Sequence, residues 1–154
     1  MHAQRRARSY CGLRYPRACV ILSMTPRRLH RSRDIRAVFA ARNAAHGRLM
    51  TVHAARRALE ETPGTLVVEG DPARVAVIAG RDVGGAVQRN RAKRRLRAAL
   101  AAGSLPSGFD LVVRARPAAA HGDFKALRAE LCDLIGRATA KAGQGVAGSG
   151  RGQA

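Results

Sequence analysis

The chain has 154 residues, with 29 Lys plus Arg against 10 Asp plus Glu, a formal charge of +19 and a sequence pI near 11.8. At 46% hydrophobic residues it can bury a modest core, while 16 glycines and 3% aromatics point to flexible ends. No run of eighteen apolar residues occurs, which excludes a membrane-spanning helix, and the stretch Ala18 to Met24 is short for a signal-peptide core and has no convincing cleavage site. Cys11, Cys19 and Cys132 form no Cys-x-x-Cys pair, so neither a disulfide framework nor a zinc knuckle is indicated and a reducing cytoplasm is the simplest compartment.

The elements follow in chain order. Met1 to Ser23 carry five arginines, no acid and no period; they are expected to be a disordered and dispensable basic leader, with Met24 as an alternative start. Without them 24 basic residues face the same 10 acids, a charge of +14, so the basic character belongs to the body. Residues 24–140 read as one domain, and 141–154, rich in Gly, as a flexible coil. Ser32 is a capping-type residue before a helix to about Ala41, with Ile35, Val38 and Phe39 on one face and Asp34 supporting the first turn through the helix dipole. Leu49–Ala54 and Thr65–Glu69 read as strands around a turn at Pro63-Gly64. Arg74–Ala79, apolar on both faces, reads as a strand central in its sheet.

Ala86 to Ala101 lacks Gly and Pro and is dominated by helix formers. Steps of 100° put Ala92, Leu96, Ala99 and Leu100 on one side and Arg91 and Arg94 on the other. A strand, Phe109–Ala115, follows, and then a helix capped by Asp123 whose Phe124, Leu127, Leu131, Leu134 and Ile135 form an apolar stripe. The order is α-β-β-β-α-β-α.

Catalysis by the polypeptide would need convergent nucleophiles, bases or metal ligands. The sequence offers none. His2, His30, His46, His53 and His121 are scattered without ligand spacing, His53 alone standing where a strand could line a groove. Glu60 and Glu61 are adjacent, and no Asp-x-Asp pair exists to hold two metal ions. Gly80-Arg-Asp-Val-Gly-Gly85 lies between strand and helix like a phosphate loop, but lacks the full dinucleotide and P-loop patterns. What remains is a helix N-terminus flanked by Arg81 and Arg89, suited to one RNA phosphate. Seven basic residues crowd Arg81 to Arg97, with Asp82 the only acid among them. A solvated helix face normally alternates its charges, whereas Arg91/Arg95 and Lys93/Arg97 are like-charged pairs that repel until phosphates neutralise them. Nearly all the basic residues are Arg, whose planar fork favours nucleic acid over an anionic membrane surface.

Arg89-Asn90-Arg91, preceded by Gly84-x-Ala86-Val87 and followed by Lys93-Arg94-x-x-Arg97, resembles the RNR signature of the bacterial ribonuclease P protein component. The resemblance covers about the whole body, from Arg28-Leu29 through the Asp34-to-Phe39 helix to Phe109-Asp110-Leu-Val-Val-Arg-Ala115-Arg-Pro117. It implies a ribonuclease P protein-like α/β (α+β) sandwich with a left-handed βαβ crossover through the second helix. It also implies an RNA-based endonuclease in which the large RNA subunit, with Mg²⁺, cuts precursor tRNA to release the 5′ leader. The protein then has no catalytic residue and no metal ligand of its own.

By the same resemblance Arg89, Asn90, Arg91, Lys93, Arg94 and Arg97 are expected to contact the RNA subunit; Arg81 and Arg95 complete the basic set. Phe39 matches an aromatic position of the leader cleft, Ile35 stands where another Phe is usual, and His53 joins them as a cleft candidate. Gly85 replaces a usual Asn, Asp82 a basic residue, and Ala98 an acid or amide. The implied partners are the ribonuclease P RNA subunit and precursor tRNA, with no membrane and no obligate protein partner, in the cytoplasm. The alternative is a non-enzymatic basic RNA-binding protein, ribosomal or chaperone-like; a helix-turn-helix DNA binder ranks below it because strand and glycine turn precede Ala86.

Overall fold

A computed structural model describes residues 26–57 and 72–144. The leader at 1–23 and the expected strand Thr65–Glu69 lie outside the described residues. Five strands and three helices follow in the order β1 (Arg27–Arg28), α1 (Ser32–Ala40), β2 (Ala44–His46), β3 (Met50–Arg56), β4 (Arg74–Ala79), α2 (Ala86–Ala101), β5 (Phe109–Ala115) and α3 (Phe124–Gln144). The sheet order is β1-β4-β5-β3-β2. β4 pairs parallel with β5, and α2 connects them; β3 pairs antiparallel with both β5 and β2.

One face of the sheet is closed and the other only partly so. Met50, Val52 and Ala54 of β3, Val75 of β4, and Leu111, Val113 and Ala115 of β5 alternate onto the first face. There they pack against Ala92, Leu96, Ala99 and Leu100 of α2 and Leu127, Leu131, Leu134 and Ile135 of α3. The periodicity of α2 therefore fixes its orientation: the four expected core positions are its four buried residues. On the second face α1 lies across Ala76 and Val112, with Val38 and Leu29 completing a small cluster and Ile35 and Ile78 packed beside it. A nine-residue helix cannot cover a five-stranded sheet, so among the described residues the part of this face carried by β2, β3 and the end of β5 stays open.

An ion-pair network fixes α1 to the sheet. Arg74 on β4 donates from Nε to Asp110 Oδ1 at 2.7 Å and from Nη2 to Oδ2, which is the bidentate geometry that Arg and carboxylate favour. Its remaining Nη1 reaches Asp34 Oδ2 on α1 at 3.3 Å, and Arg57 Nε lies 3.4 Å from Asp110. Asp110 is buried. Its hydrogen bonds hold the Arg74 guanidinium above its ordinary pKa.

Several expectations change. Arg31, not Ser32, occupies the N-cap of α1, and no side chain caps it; Ser32 is already helical. Asp34 spends its charge on Arg74 as well as on the helix dipole. Asn43 to Gly47, expected only to end that helix, instead contain β2, a three-residue edge strand too short to show alternation, and β1, also not expected, is shorter still. The centre of the sheet is β5; β4 sits one place toward the edge, though paired on both sides at its start. Asp123 does cap α3, accepting from Ala126 N at 2.9 Å, but Phe124 is 39% exposed, and Leu127 is the first residue of the stripe to be buried. α3 runs through Gln144, beyond the expected boundary at 140, and buries Ala142.

Candidate nucleic-acid interface

α2 begins where the chain turns sharply out of β4. Val83, buried, anchors the 3₁₀ turn Arg81–Val83, and Gly84 then adopts φ 124°, a conformation that L side chains avoid. Gly85 takes the N-cap without a side-chain cap, so the first-turn amides of α2 are left for solvent or an anion. Arg81 is exposed beside this turn.

Along α2 the basic residues divide by what holds them. Arg91 and Arg94 are exposed opposite the core face, as the 100° steps require, and Val87, 77% exposed, continues the same face. Asn90 and Arg97 are exposed at its flanks, while Arg89 and Lys93 are half-buried. None of these residues forms an ion pair among the described residues. Arg95 differs. Its Nη1 donates to Ala120 O at 2.8 Å and its Nη2 to Gly122 O, so its guanidinium ties α2 to the turn before α3. An arginine that satisfies two carbonyls has fewer donors left for RNA, which moves Arg95 from the expected binding set to the scaffold.

The three cleft candidates separate. Phe39, 38% exposed, stands edge-on to His53 with ring centroids 4.7 Å apart at 68°. Ile35, one turn earlier, packs instead toward Leu29, Val38 and Ala76 and lines a different groove, of about 510 Å³, shared with Arg97, Arg28 and His30. The open sheet face beside Phe39 and His53 holds a pocket of about 330 Å³ lined by His46, Thr51, His53, Asp82, Arg114 and Arg116. Register explains the grouping: His46 pairs with Thr51 across β2 and β3, and Thr51 with Arg114 across β3 and β5, so their side chains share one face. Thr51 Oγ1 lies 3.4 Å from His46 Nδ1. Arg116 donates to Gly47 O at 2.8 Å, bracing the turn between β2 and β3.

Burial first, then the nearby His46 and Arg114, pushes the His53 pKa below its ordinary value, so at neutral pH the ring is uncharged. His46, Thr51, Arg114 and Arg116 lie outside the sequence candidates. The signal for the two arginines is the period-two pattern of Val112-Val113-Arg114-Ala115-Arg116, which puts both on the face shared with Val112; His46 and Thr51 join them only through strand pairing. Among the described residues no group of three or more His, Cys, Asp or Glu is placed to hold a metal ion, and no helix is long and apolar enough to cross a membrane.

The sequence and the fold have known relatives. The family described as Ribonuclease P matches residues 24–139. The ribonuclease P protein component of Acidothermus cellulolyticus is 40% identical over 114 residues, covering 73% of this chain and 88% of the relative. That of Dehalococcoides mccartyi is 34% identical over 111 residues, covering 72% and 83%. Among solved structures, the RNase P protein from Thermotoga maritima superposes with a TM-score of 0.58 at 25% identity, over 71% of this chain and 96% of that one. The Staphylococcus aureus RNase P protein, at 19% identity and a TM-score of 0.55 over 70% of this chain and 91% of that one, shares the fold. A match that takes in the sheet, all three helices and the arginine face of α2 assigns the chain: it belongs to the family of bacterial ribonuclease P protein components.

Proposed function

We propose that this chain is the accessory protein of a ribonuclease P ribonucleoprotein, binding the catalytic RNA through α2 and the 5′ leader of precursor tRNA on the open sheet face. The observation that carries this reading is the solvent face of α2, where Arg91 and Arg94 are exposed and no described carboxylate pairs with them. Such a face is self-repelling in the free protein and is stabilised by phosphates, which it attracts without sequence preference. Phe39, His53 and the arginines Arg114 and Arg116 supply a ring edge, a neutral imidazole and cations for a single strand. Hydrolysis in this reading belongs to the RNA subunit and to Mg²⁺ held mainly by that RNA. The described side chains form no metal cluster, and no step is assigned to the polypeptide. The complex works in the cytoplasm without a membrane or an obligate protein partner.

Reconstitution with a bacterial ribonuclease P RNA and a precursor tRNA at low Mg²⁺ tests the reading. The protein is expected to raise the rate of leader removal, because its cations replace part of the counterion charge that the RNA otherwise draws from Mg²⁺. Unchanged cleavage, with ribosomal RNA co-purifying in place of one structured RNA, would support a non-enzymatic RNA-binding role instead.

A further inference from the structure

We propose that Asp82 reads one base of the RNA strand entering the open cleft and selects guanine. The inference rests on the reading that this cleft receives single-stranded RNA.

Among the described residues that line the 330 Å³ pocket Asp82 is the only acid, in a chain whose formal charge is +19. It sits in the 3₁₀ turn after β4, with Oδ1 lying 2.3 Å from where a Cβ at Gly80 would be, so Gly80 admits this orientation of the carboxylate. Oδ2 then lies 3.7 Å from Arg114 Nη2, beyond hydrogen-bond distance, with both side chains about half-exposed. Such a pair is weak in water and yields readily to a ligand. The carboxylate therefore keeps its acceptor capacity and faces a pocket of about 330 Å³, large enough to admit a base.

An ionised carboxylate only accepts hydrogen bonds. It repels a phosphate, and so the group that it receives from RNA is a donor, either a ribose 2′-hydroxyl, which is the same on every nucleotide, or a base edge, which alone can select sequence. Single-stranded RNA presents free Watson–Crick edges. Guanine offers two adjacent donors there, N1–H and the N2 amino group, which match the two carboxylate oxygens. Adenine and cytosine each offer one amino group beside a ring nitrogen that repels the second oxygen, and uracil offers one imino group between two carbonyls. The order of preference is guanine, then adenine or cytosine, then uracil, while Arg114 and Arg116 remain available to the flanking phosphate.

The experiment uses holoenzyme reconstituted with a ribonuclease P RNA and precursor tRNAs whose leaders are uridine except for one guanosine, moved one position at a time. At one leader position guanosine should tighten binding about tenfold over uridine, the low end for a bidentate base contact, and inosine, which lacks the N2 amino group, should recover only part of that. Asp82→Ala should bring the guanosine-to-uridine ratio there to near one. Asp82→Asn, whose amide both donates and accepts and so can pair with a donor–acceptor edge on any of the four bases, should likewise lose the guanine preference, and thermal melting of each variant checks the fold. A guanosine preference at no position, one that survives Asp82→Ala, or equal tightening of every leader by Asp82→Ala would overturn the proposal; the last would make Asp82 a mere offset to cleft charge. If mature tRNA binds as tightly as precursor, the cleft reading itself fails and this inference with it.

Discussion

Replacing Phe39 by alanine removes a ring that lies only partly within the fold. The side chain is 38% exposed, outside the buried cluster of Leu29, Val38, Ala76 and Val112, and its aromatic neighbour is the half-buried His53 at 4.7 Å. A fully buried Phe→Ala change costs about 3–5 kcal/mol; with the ring over a third exposed and beside an open pocket, no closed cavity forms and the folding cost should be below about half of that. A base stacked on the ring contributes about 1–3 kcal/mol, so Phe39→Ala should weaken precursor tRNA binding by roughly 5- to 150-fold. Mature tRNA has no leader to stack. The assay is therefore a pair of titrations of the reconstituted holoenzyme, with precursor and with mature tRNA, beside a denaturant unfolding curve of the protein alone. Loss on the precursor only, with a modest shift in unfolding, is the expected result. Equal loss on both RNAs, or destabilisation at the level of a buried Phe, would refute the placement of Phe39 in the cleft and make it a core residue.

Asp110→Ala should destabilise the protein by about 3–5 kcal/mol in urea, since it takes the shared carboxylate from the partly buried guanidinium groups of Arg74 and Arg57, whereas Asp34→Ala, which gives up one 3.3 Å ion pair to Arg74 and a weaker one to Arg33, should cost under about 1 kcal/mol. Arg95→Ala should lower the melting temperature, because two carbonyls of the turn before α3 lose their donors, and should change the salt dependence of RNA binding little. His53 has a folded pKa below its unfolded value near 6.5. The unfolded chain therefore binds the proton first, and stability should fall as pH drops below about 6.5 and be flat above it. RNA phosphate favours the protonated ring, so RNA affinity should rise over the same interval; unfolding and binding titrations of His53→Gln should both lose that component.

How legible the fold was depended on the length of each pattern. α2 and β5 occupy their expected residues because α2 keeps a helical period over sixteen residues without Gly or Pro, and β5 is a seven-residue, Val- and Leu-rich run bounded by Gly108 and Pro117. β1 and β2, of two and three residues, carry no period at all; tertiary pairing with β4 and β3 makes them strands. The site divides in the same way. Arg91 and Arg94 could be placed by counting along one helix, but the separation of Ile35 from Phe39 could not. Both lie on one side of α1, and only the position of the sheet beneath it sends Ile35 toward Leu29 and leaves Phe39 against His53. Arg95 shows a further limit: helical phase makes it a flank of the basic face, and its true partners, Ala120 and Gly122, lie some 25 residues on in a turn whose geometry no local pattern encodes. Asp82 and Arg114 likewise meet only because β4 and β5 are neighbours in the sheet.

The central claim is that the solvent face of α2 binds RNA phosphates, and the salt dependence of assembly with the ribonuclease P RNA measures it most directly. Arg91 and Arg94 are exposed and pack against nothing in the core, so Arg91→Ala with Arg94→Ala should leave the unfolding curve where it was or slightly more stable. Removing one phosphate-neutralising cation should flatten the plot of log K against log salt by roughly 0.7–0.9, so the double variant should lose about 1.4–1.8 from the slope along with affinity. Lysine at both positions should restore most of the slope and only part of the affinity, since a point charge lacks the bidentate fork. An unchanged slope with unchanged assembly would mean that these arginines are solvated surface, and the assignment of the interface to α2 would be wrong.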